Sequence, residues 1–196
     1  RLLIGPENRT DEQGTIGSYR GVNDDLLIAL DGTWFHSSEK VFCTNCNWKK
    51  HRNGKKTYYH SAITPAVVHP EKNNVICLEP EFIHPQDGRE KQDCENTAGK
   101  RWLEGAGLRY VPYGVTILGD DLYCKQPVCE TMLALGYNFI LTCKYSSHKY
   151  LAEWTRACDP KEDLHEMVIP RWTGKERLYF RYRFANDVPL KDGDDA

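Results

Sequence analysis

Leu26-Leu27-Ile28-Ala29-Leu30-Asp31-Gly32-Thr33-Trp34-Phe35 is the stretch whose reading decides the fold. Five apolar residues run into one carboxylate and a glycine. A short continuous apolar run suits a strand buried on both faces. In an open α/β sheet, an acid at the carboxyl end of such a strand points into the crevice where ligands bind. Val115-Thr116-Ile117-Leu118-Gly119-Asp120-Asp121 has the same grammar. If the two strands are parallel neighbours, Asp31 and Asp120 converge at one sheet edge. Paired carboxylates with open positions for phosphate and water suit a hard divalent cation, Mg²⁺ or Mn²⁺. Such ions activate an attacking hydroxyl and stabilise a leaving oxygen in phosphoryl transfer. Each aspartate equally suits the capping of a turn after its strand. Asp121 competes with Asp120, because strand alternation sends one toward the crevice and the other away.

The order of elements is read outward from these two strands. Residues 1–25 are polar and glycine-punctuated, and read as a loop or the tail of an upstream region. Residues 41–60 read as a hairpin that Asn53-Gly54 turns. Residues 62–69 and 74–78 are β-rich with proline punctuation, so at least one is an edge strand. Gln86-Asp87-Gly88 is a turn, and the spacing of Cys94, Ala98, Arg101 and Trp102 then predicts a helix ending near Gly105 or Gly107. Pro127 opens a second helix whose apolar side is Cys129, Met132, Leu133 and Leu135, and Gly136 stops it. Residues 138–144 read as a third buried strand, and Ser146 as the N-cap of a helix running to about Ala157. From Leu164 the chain is β-like again, with aromatics alternating with arginines up to Phe184. The expected fold class is therefore α/β, a mixed sheet flanked by helices, with a hairpin excursion at 41–60. The expected divisions are 1–25, 26–160 and 161–196.

The chain has 196 residues, 40% hydrophobic and 28% charged, enough for a packed core and unlike a disordered segment. No apolar run approaches membrane-spanning length. The net charge of −2 carries no general nucleic-acid signature, but Lys49, Lys50, Arg52, Lys55 and Lys56 cluster on the hairpin. They read either as a solvated tip or as a loop that contacts phosphate. No signal peptide opens the chain, so the eight cysteines are expected as free thiols in a reducing, cytoplasmic setting. Cys77, Cys143 and Cys158 read as small core residues, and Cys124 and Cys129 as structural. Cys94 near Lys91 is a conceivable reactive thiol. Cys43-x-x-Cys46 has zinc-knuckle spacing, with His51 and His60 downstream on the same hairpin. A structural Zn²⁺ and a pair of plain hairpin thiols both fit it. Glu153 is a candidate third acid, or an ordinary exposed helix residue beside Trp154.

Taken together, Leu30-Asp31-Gly32-Thr33-Trp34-Phe35 with Ser37-Ser38, Cys43-x-x-Cys46 with Tyr59-His60, Lys91-Gln92-Asp93-Cys94-Glu95, Leu118-Gly119-Asp120-Asp121-Leu122-Tyr123 and Cys143-Lys144 with Ser147-His148 resemble bacterial insertion-sequence transposases of the DDE type. The narrower likeness is to the group whose RNase H-like catalytic domain is interrupted by a β-rich insertion. The resemblance implies Mg²⁺-dependent DNA cleavage and strand transfer, with transposon ends and target DNA as partners and an oligomeric full-length protein. It matches Asp31 to the aspartate ending the first strand, and Asp120, rather than Asp121, to the aspartate ending the fourth. The family's third acid is a glutamate in a Trp-x-Ile-Glu-like segment, and no such segment occurs here. The likeness therefore implies that an insertion begins near residue 165, that the chain stops inside it, and that the fragment alone is inactive or impaired. Two other readings stand beside it: a self-contained RNase H-like nuclease using Glu153, and a non-catalytic zinc-stapled DNA-binding module.

Overall fold

The computed structural model describes residues 15–84, 93–158, 164–186 and 188. The expected turn Gln86-Asp87-Gly88, Lys91, and residues 1–14 of the leading loop lie outside the described residues. The chain divides into two compact units, Arg1–Thr142 and Cys143–Ala196. The fold is mixed α/β, with three α-helices among the described residues.

The first unit is built on a five-stranded sheet. Its strands are β1 (Leu26–Ala29), β5 (Ala66–Val68), β6 (Ile76–Cys77), β8 (Val115–Gly119) and β9 (Asn138–Leu141), in the order β6-β5-β1-β8-β9. β8 runs parallel to β1 and to β9, whereas β5 is antiparallel to β1 and to β6. β1 and β8 are central, which is why they read as uninterrupted apolar runs: Leu26, Leu27, Ile28, Val115 and Ile117 are all buried. β9 is a sheet edge and its residues are half-buried or exposed, so the expected third buried strand is corrected. Its local pattern is apolar, but edge position depends on which strand lies beside it.

A second sheet continues the first. β2 (Gly32–Ser38) pairs with β4 (Lys56–Ile63), and β4 pairs in turn with β3 (Asn47–Lys50) and β7 (Glu81–Ile83). β1 passes into β2 across Leu30-Asp31, and β4 passes into β5 across Thr64-Pro65. The two arms bend at the same level, where the Thr64 N–H donates to the Asp31 carbonyl at 2.9 Å. Asp31 thus sits at the bend of one long hairpin shared between two sheets. At the far end of β3–β4, Gly54 has φ +83°, the left-handed conformation that the Asn-Gly turn requires.

Helix α1 (Glu95–Glu104) packs on β4 and β7, and α2 (Gln126–Ala134) on α1 and β9. Trp102, Leu103 and Ala98 form the buried stripe of α1, and the Trp102 indole donates to the Glu79 carbonyl at 3.0 Å. On α2, Val128, Cys129 and Met132 are buried, but Leu133 is 63% exposed, so it leaves the expected apolar side. Residues before β1 also join the core: Ile16 and Tyr19 are buried. Buried Asp25 accepts hydrogen bonds from Thr116 Oγ1 (2.7 Å) and Asn138 Nδ2 (2.9 Å), tying the starts of β1, β8 and β9.

The second unit contains α3 (Lys149–Ala157) and an antiparallel ribbon, β10 (His165–Trp172) with β11 (Arg177–Phe184). The residue before α3 is His148, with no side-chain cap, so Ser146 is not the N-cap. Every residue of the ribbon is exposed. Pairing His165↔Phe184, Met167↔Tyr182, Ile169↔Phe180 and Arg171↔Leu178 gives one largely apolar face. The opposite face carries Glu166, which pairs with Arg181 and Arg183.

No disulfide joins the cysteines among the described residues. Cys77 and Cys143 are exposed and Cys158 is half-buried, which corrects their expected core placement. Cys77 lies on edge strand β6 and Cys143 follows edge strand β9, where apolar neighbours in sequence provide no cover. The buried thiols are Cys46, Cys124 and Cys129.

Candidate functional site

The parallel register of β1 and β8 pairs Ala29 with Leu118, and the Leu30 N–H extends the ladder to the Leu118 carbonyl at 2.9 Å. Asp31 and Asp120 each stand two residues beyond that pair, past the carboxyl ends of β1 and β8, and the charges of both act on Glu95. The phase left open by the segment is now defined. Asp120 is exposed at the sheet edge, while Asp121 is 8% exposed. Each exposed aspartate also caps its own turn: Asp31 Oδ1 accepts the Gly32 N–H at 2.9 Å, and Asp120 Oδ1 accepts the Leu122 N–H at 2.8 Å. Turn-capping and a shared site are therefore compatible.

A third carboxylate stands with them. Glu95, the first residue of α1, lies against Gly32, and its Oε1 accepts the Tyr123 hydroxyl at 3.3 Å. Partial burial raises the Glu95 carboxyl above its ordinary range, and the charges of Asp31 and Asp120 raise it further; the Tyr123 hydroxyl and the Gly32 amide act the other way. Tyr123 is 1% exposed, and burial, with Glu95 beside it, pushes its phenol far up, so it remains a donor. From sequence alone Glu95 carries no role beyond its place in Lys91-Gln92-Asp93-Cys94-Glu95. Its one local signal is an acid in the first turn of a helix; its nearness to Asp31 is purely tertiary. Glu153 lies on α3 with an exposed side chain.

Glu95 is aimed by the loop that leads into α1. The side chain of Asp93 has no solvent exposure and accepts the His84 N–H (3.1 Å), the Cys94 N–H (2.9 Å) and two donors of Arg101 (3.1 and 3.0 Å). Arg101 also reaches Glu81 at 2.8 Å and the Phe82 carbonyl at 2.9 Å, which locks α1 to β7. These anions raise the Arg101 guanidinium above its usual range, chiefly through Asp93. A cleft of about 360 Å³ opens beside Glu95, with Gly32, Trp34, Tyr59 and Ser61 in its walls. Trp34 stacks on Tyr59 with ring centroids 4.0 Å apart, and is itself 51% exposed.

Gly32 separates these groups, and its close approach has a testable consequence. A Cβ at Gly32 would overlap the Glu95 carboxylate, the movable end of a flexible side chain. Gly32→Ala is therefore expected to leave the thermal midpoint within about 4 °C of wild type. It should nonetheless weaken Mn²⁺ binding, followed by calorimetric titration, by on the order of 10-fold, because Glu95 is displaced. Unchanged Mn²⁺ affinity would show that Glu95 is not held against this glycine for a ligand.

The Cys–His expectation gains a defined geometry. Cys43 Sγ and Cys46 Sγ are 3.8 Å apart, and each lies 3.4 Å from His60 Nε2. The Cys43–Cys46 turn closes with the Cys46 N–H on the Cys43 carbonyl (3.2 Å) and the Cys43 N–H on Cys46 Sγ (3.3 Å). These three residues form a group able to hold a metal ion. His51 is not one of them; its Nε2 bonds Thr57 Oγ1 at 2.8 Å near the hairpin tip. Lys49, Lys50, Arg52, Lys55 and Lys56 are all exposed on that hairpin. Lys55 meets Glu39 at 3.5 Å, and Lys56 lies over the Trp48 ring at 4.4 Å. Exposed Cys94 places its Sγ 3.3 Å from Thr97 Oγ1.

No helix among the described residues is long and apolar enough to cross a membrane. Comparison with known proteins gives no match to any family model, to any curated protein or to any solved structure.

Proposed function

We propose that this chain carries the metal-dependent phosphodiester chemistry of a DDE-type DNA transposase. The observation that carries the reading is the convergence of Asp31, Asp120 and Glu95 at the carboxyl edge of β1 and β8. An RNase H-like architecture is supported by the strand order, with β5 and β6 as antiparallel neighbours on one side of β1 and parallel β8 and β9 on the other. In chain order β8 is the fourth strand of that sheet, where the resemblance expects the second aspartate.

The donor set suits a hard divalent cation such as Mg²⁺ or Mn²⁺: carboxylate oxygens only, two of the three on exposed residues, open to phosphate and water. When bound, such an ion acidifies an attacking water or DNA 3′-hydroxyl and stabilises the leaving oxygen. Asp31 and Asp120 would hold it, Glu95 would supply the third anionic arm, and Tyr123 fixes the Glu95 carboxylate by donating to it. In this reading the third acid lies within the chain, as an alternative to the expectation that it lies beyond it. Lys49, Lys50 and Arg52 offer exposed cations for the DNA backbone. In this reading the partners are transposon ends and target DNA, and the full-length protein assembles on them in the cytoplasm. The soft donors Cys43, Cys46 and His60 are read as a separate zinc group, since thiolate and imidazole suit Zn²⁺ rather than Mg²⁺.

The test is strand cleavage of supercoiled plasmid by the purified chain. Nicked circles are expected with Mg²⁺ or Mn²⁺ and not with EDTA, and Asp31→Asn should remove the activity. No nicking in the presence of metal, or nicking that survives Asp31→Asn, would overturn the proposal. A self-contained nuclease using Glu95 shares this chemistry and differs in product, because it would nick without joining strands.

A further inference from the structure

We infer that the zinc group is a closed Cys₂His₂ site whose fourth ligand is His36. The inference rests on the zinc reading of Cys43, Cys46 and His60. A tetrahedral zinc with Zn–S of about 2.3 Å and Zn–N of about 2.0–2.1 Å has edges of about 3.8 Å between sulfurs and about 3.6 Å from sulfur to nitrogen. The observed edges of 3.8, 3.4 and 3.4 Å are those of one face of that tetrahedron. Three donors on one face leave a single vertex. Structural zinc sites fill it with a fourth protein ligand, whereas catalytic ones leave it to water.

His36 is positioned to fill it. It is the direct cross-strand partner of His60 in the β2–β4 ladder, so the two side chains emerge on the same face. Their ring centroids are 5.8 Å apart with the planes tilted by 43°. Two imidazoles on one tetrahedral zinc have centroids about 5 Å apart; as placed, His36 stands outside the three-residue group, and a side-chain rotation would bring it in. The β-bulge between Trp34 and His36 creates this pairing, because it shifts the register by one residue just before His36. Phe35 stacks on His60 with centroids 5.6 Å apart, which holds the His60 ring in place. His36 is exposed and holds no core position, so it is free to move toward the metal.

Closed in this way, the zinc staples the Cys43–Cys46 turn to β2 and β4, the arm that begins at Gly32 beside Asp31. Its role is mechanical: it braces β2 and β4 from the face opposite the one that carries Trp34 and Tyr59.

Cobalt substitution tests this on the full chain. Wild type is expected to bind Co²⁺ at this group, with thiolate charge-transfer absorption and the intense visible bands of a tetrahedral site. Cys43→Ser should lose both, and absence of these features in wild type would overturn the zinc reading itself. His36→Ala should keep the thiolate absorption but bind Co²⁺ on the order of 10- to 100-fold more weakly. Free imidazole should then restore the wild-type visible spectrum. Wild-type affinity and spectrum in His36→Ala would overturn the fourth-ligand assignment and leave the three-ligand group standing.

Discussion

Glu95→Gln is expected to raise the stability of the metal-free protein and, in the same molecule, to weaken divalent-metal binding by on the order of 100-fold. Both effects have one source. Partial burial and the charges of Asp31 and Asp120 disfavour the ionised Glu95 carboxylate. Its folded-state pKa is therefore above its unfolded one, so the folded state binds more protons in the window between the two values. Stability then falls as pH rises from the ordinary carboxyl range through the raised pKa, and stays lowered above it. Glutamine keeps an oxygen to accept the Tyr123 hydroxyl but carries no charge. The variant should match wild type near pH 4 and exceed it by a few degrees in thermal midpoint at pH 7. With saturating Mn²⁺ the order should invert, since ligand at about 100 times its dissociation constant adds about 2.7 kcal/mol to the protein that binds it. Thermal melts at two pH values, with and without Mn²⁺, read all four states. A variant that gains nothing at pH 7 or binds Mn²⁺ as wild type does would remove Glu95 from the site.

The largest stability loss is expected at Arg101. Arg101→Ala strips the fully buried Asp93 carboxylate of its cation and leaves it two backbone donors among the described residues. Breaking one side of a buried ion pair costs about 3 kcal/mol or more. For a chain of this size that is a fall of roughly 10 °C in thermal midpoint. Arg109 is the comparison: its pair with Glu79 is exposed on both sides, and Arg109→Ala should cost less than about 1 kcal/mol. Urea unfolding of the two variants measures the contrast. Equal losses would mean that Asp93 is satisfied by its backbone partners alone. Because Asp93 sits two residues before Glu95, Arg101→Ala should also blur metal binding in the fraction that still folds.

The two central strands were legible because a strand buried on both faces writes its position into consecutive apolar residues. Asp31 and Asp120 followed from that, and the Asn53-Gly54 hairpin from its turn chemistry. Three features were not legible, for three different reasons. Choosing between Asp120 and Asp121 required the register of β8 against β1, and a terminal pair of acids contains no register. Glu95 required the path of α1 back across the sheet edge, which its local sequence does not contain. The edge position of β9, and the exposure of Cys77 and Cys143, depend on which strands are absent from one side. Apolar neighbours in sequence say nothing of that. His60, by contrast, was separable from His51 only through the ladder, which carries one to the thiols and the other to the hairpin tip.

The ribbon β10–β11 bears on how this chain behaves as a solute. Its apolar face, with Met167, Ile169, Leu178, Phe180, Tyr182 and Phe184, is exposed. Sulfate or phosphate salts, which strengthen apolar association, act on such a face before they act on a buried core, and low concentrations of urea relieve it first. The sixteen residues of these two strands are therefore one source of association in concentrated solution, beside exposed apolar side chains of the first unit such as Phe35, Phe42 and Leu133.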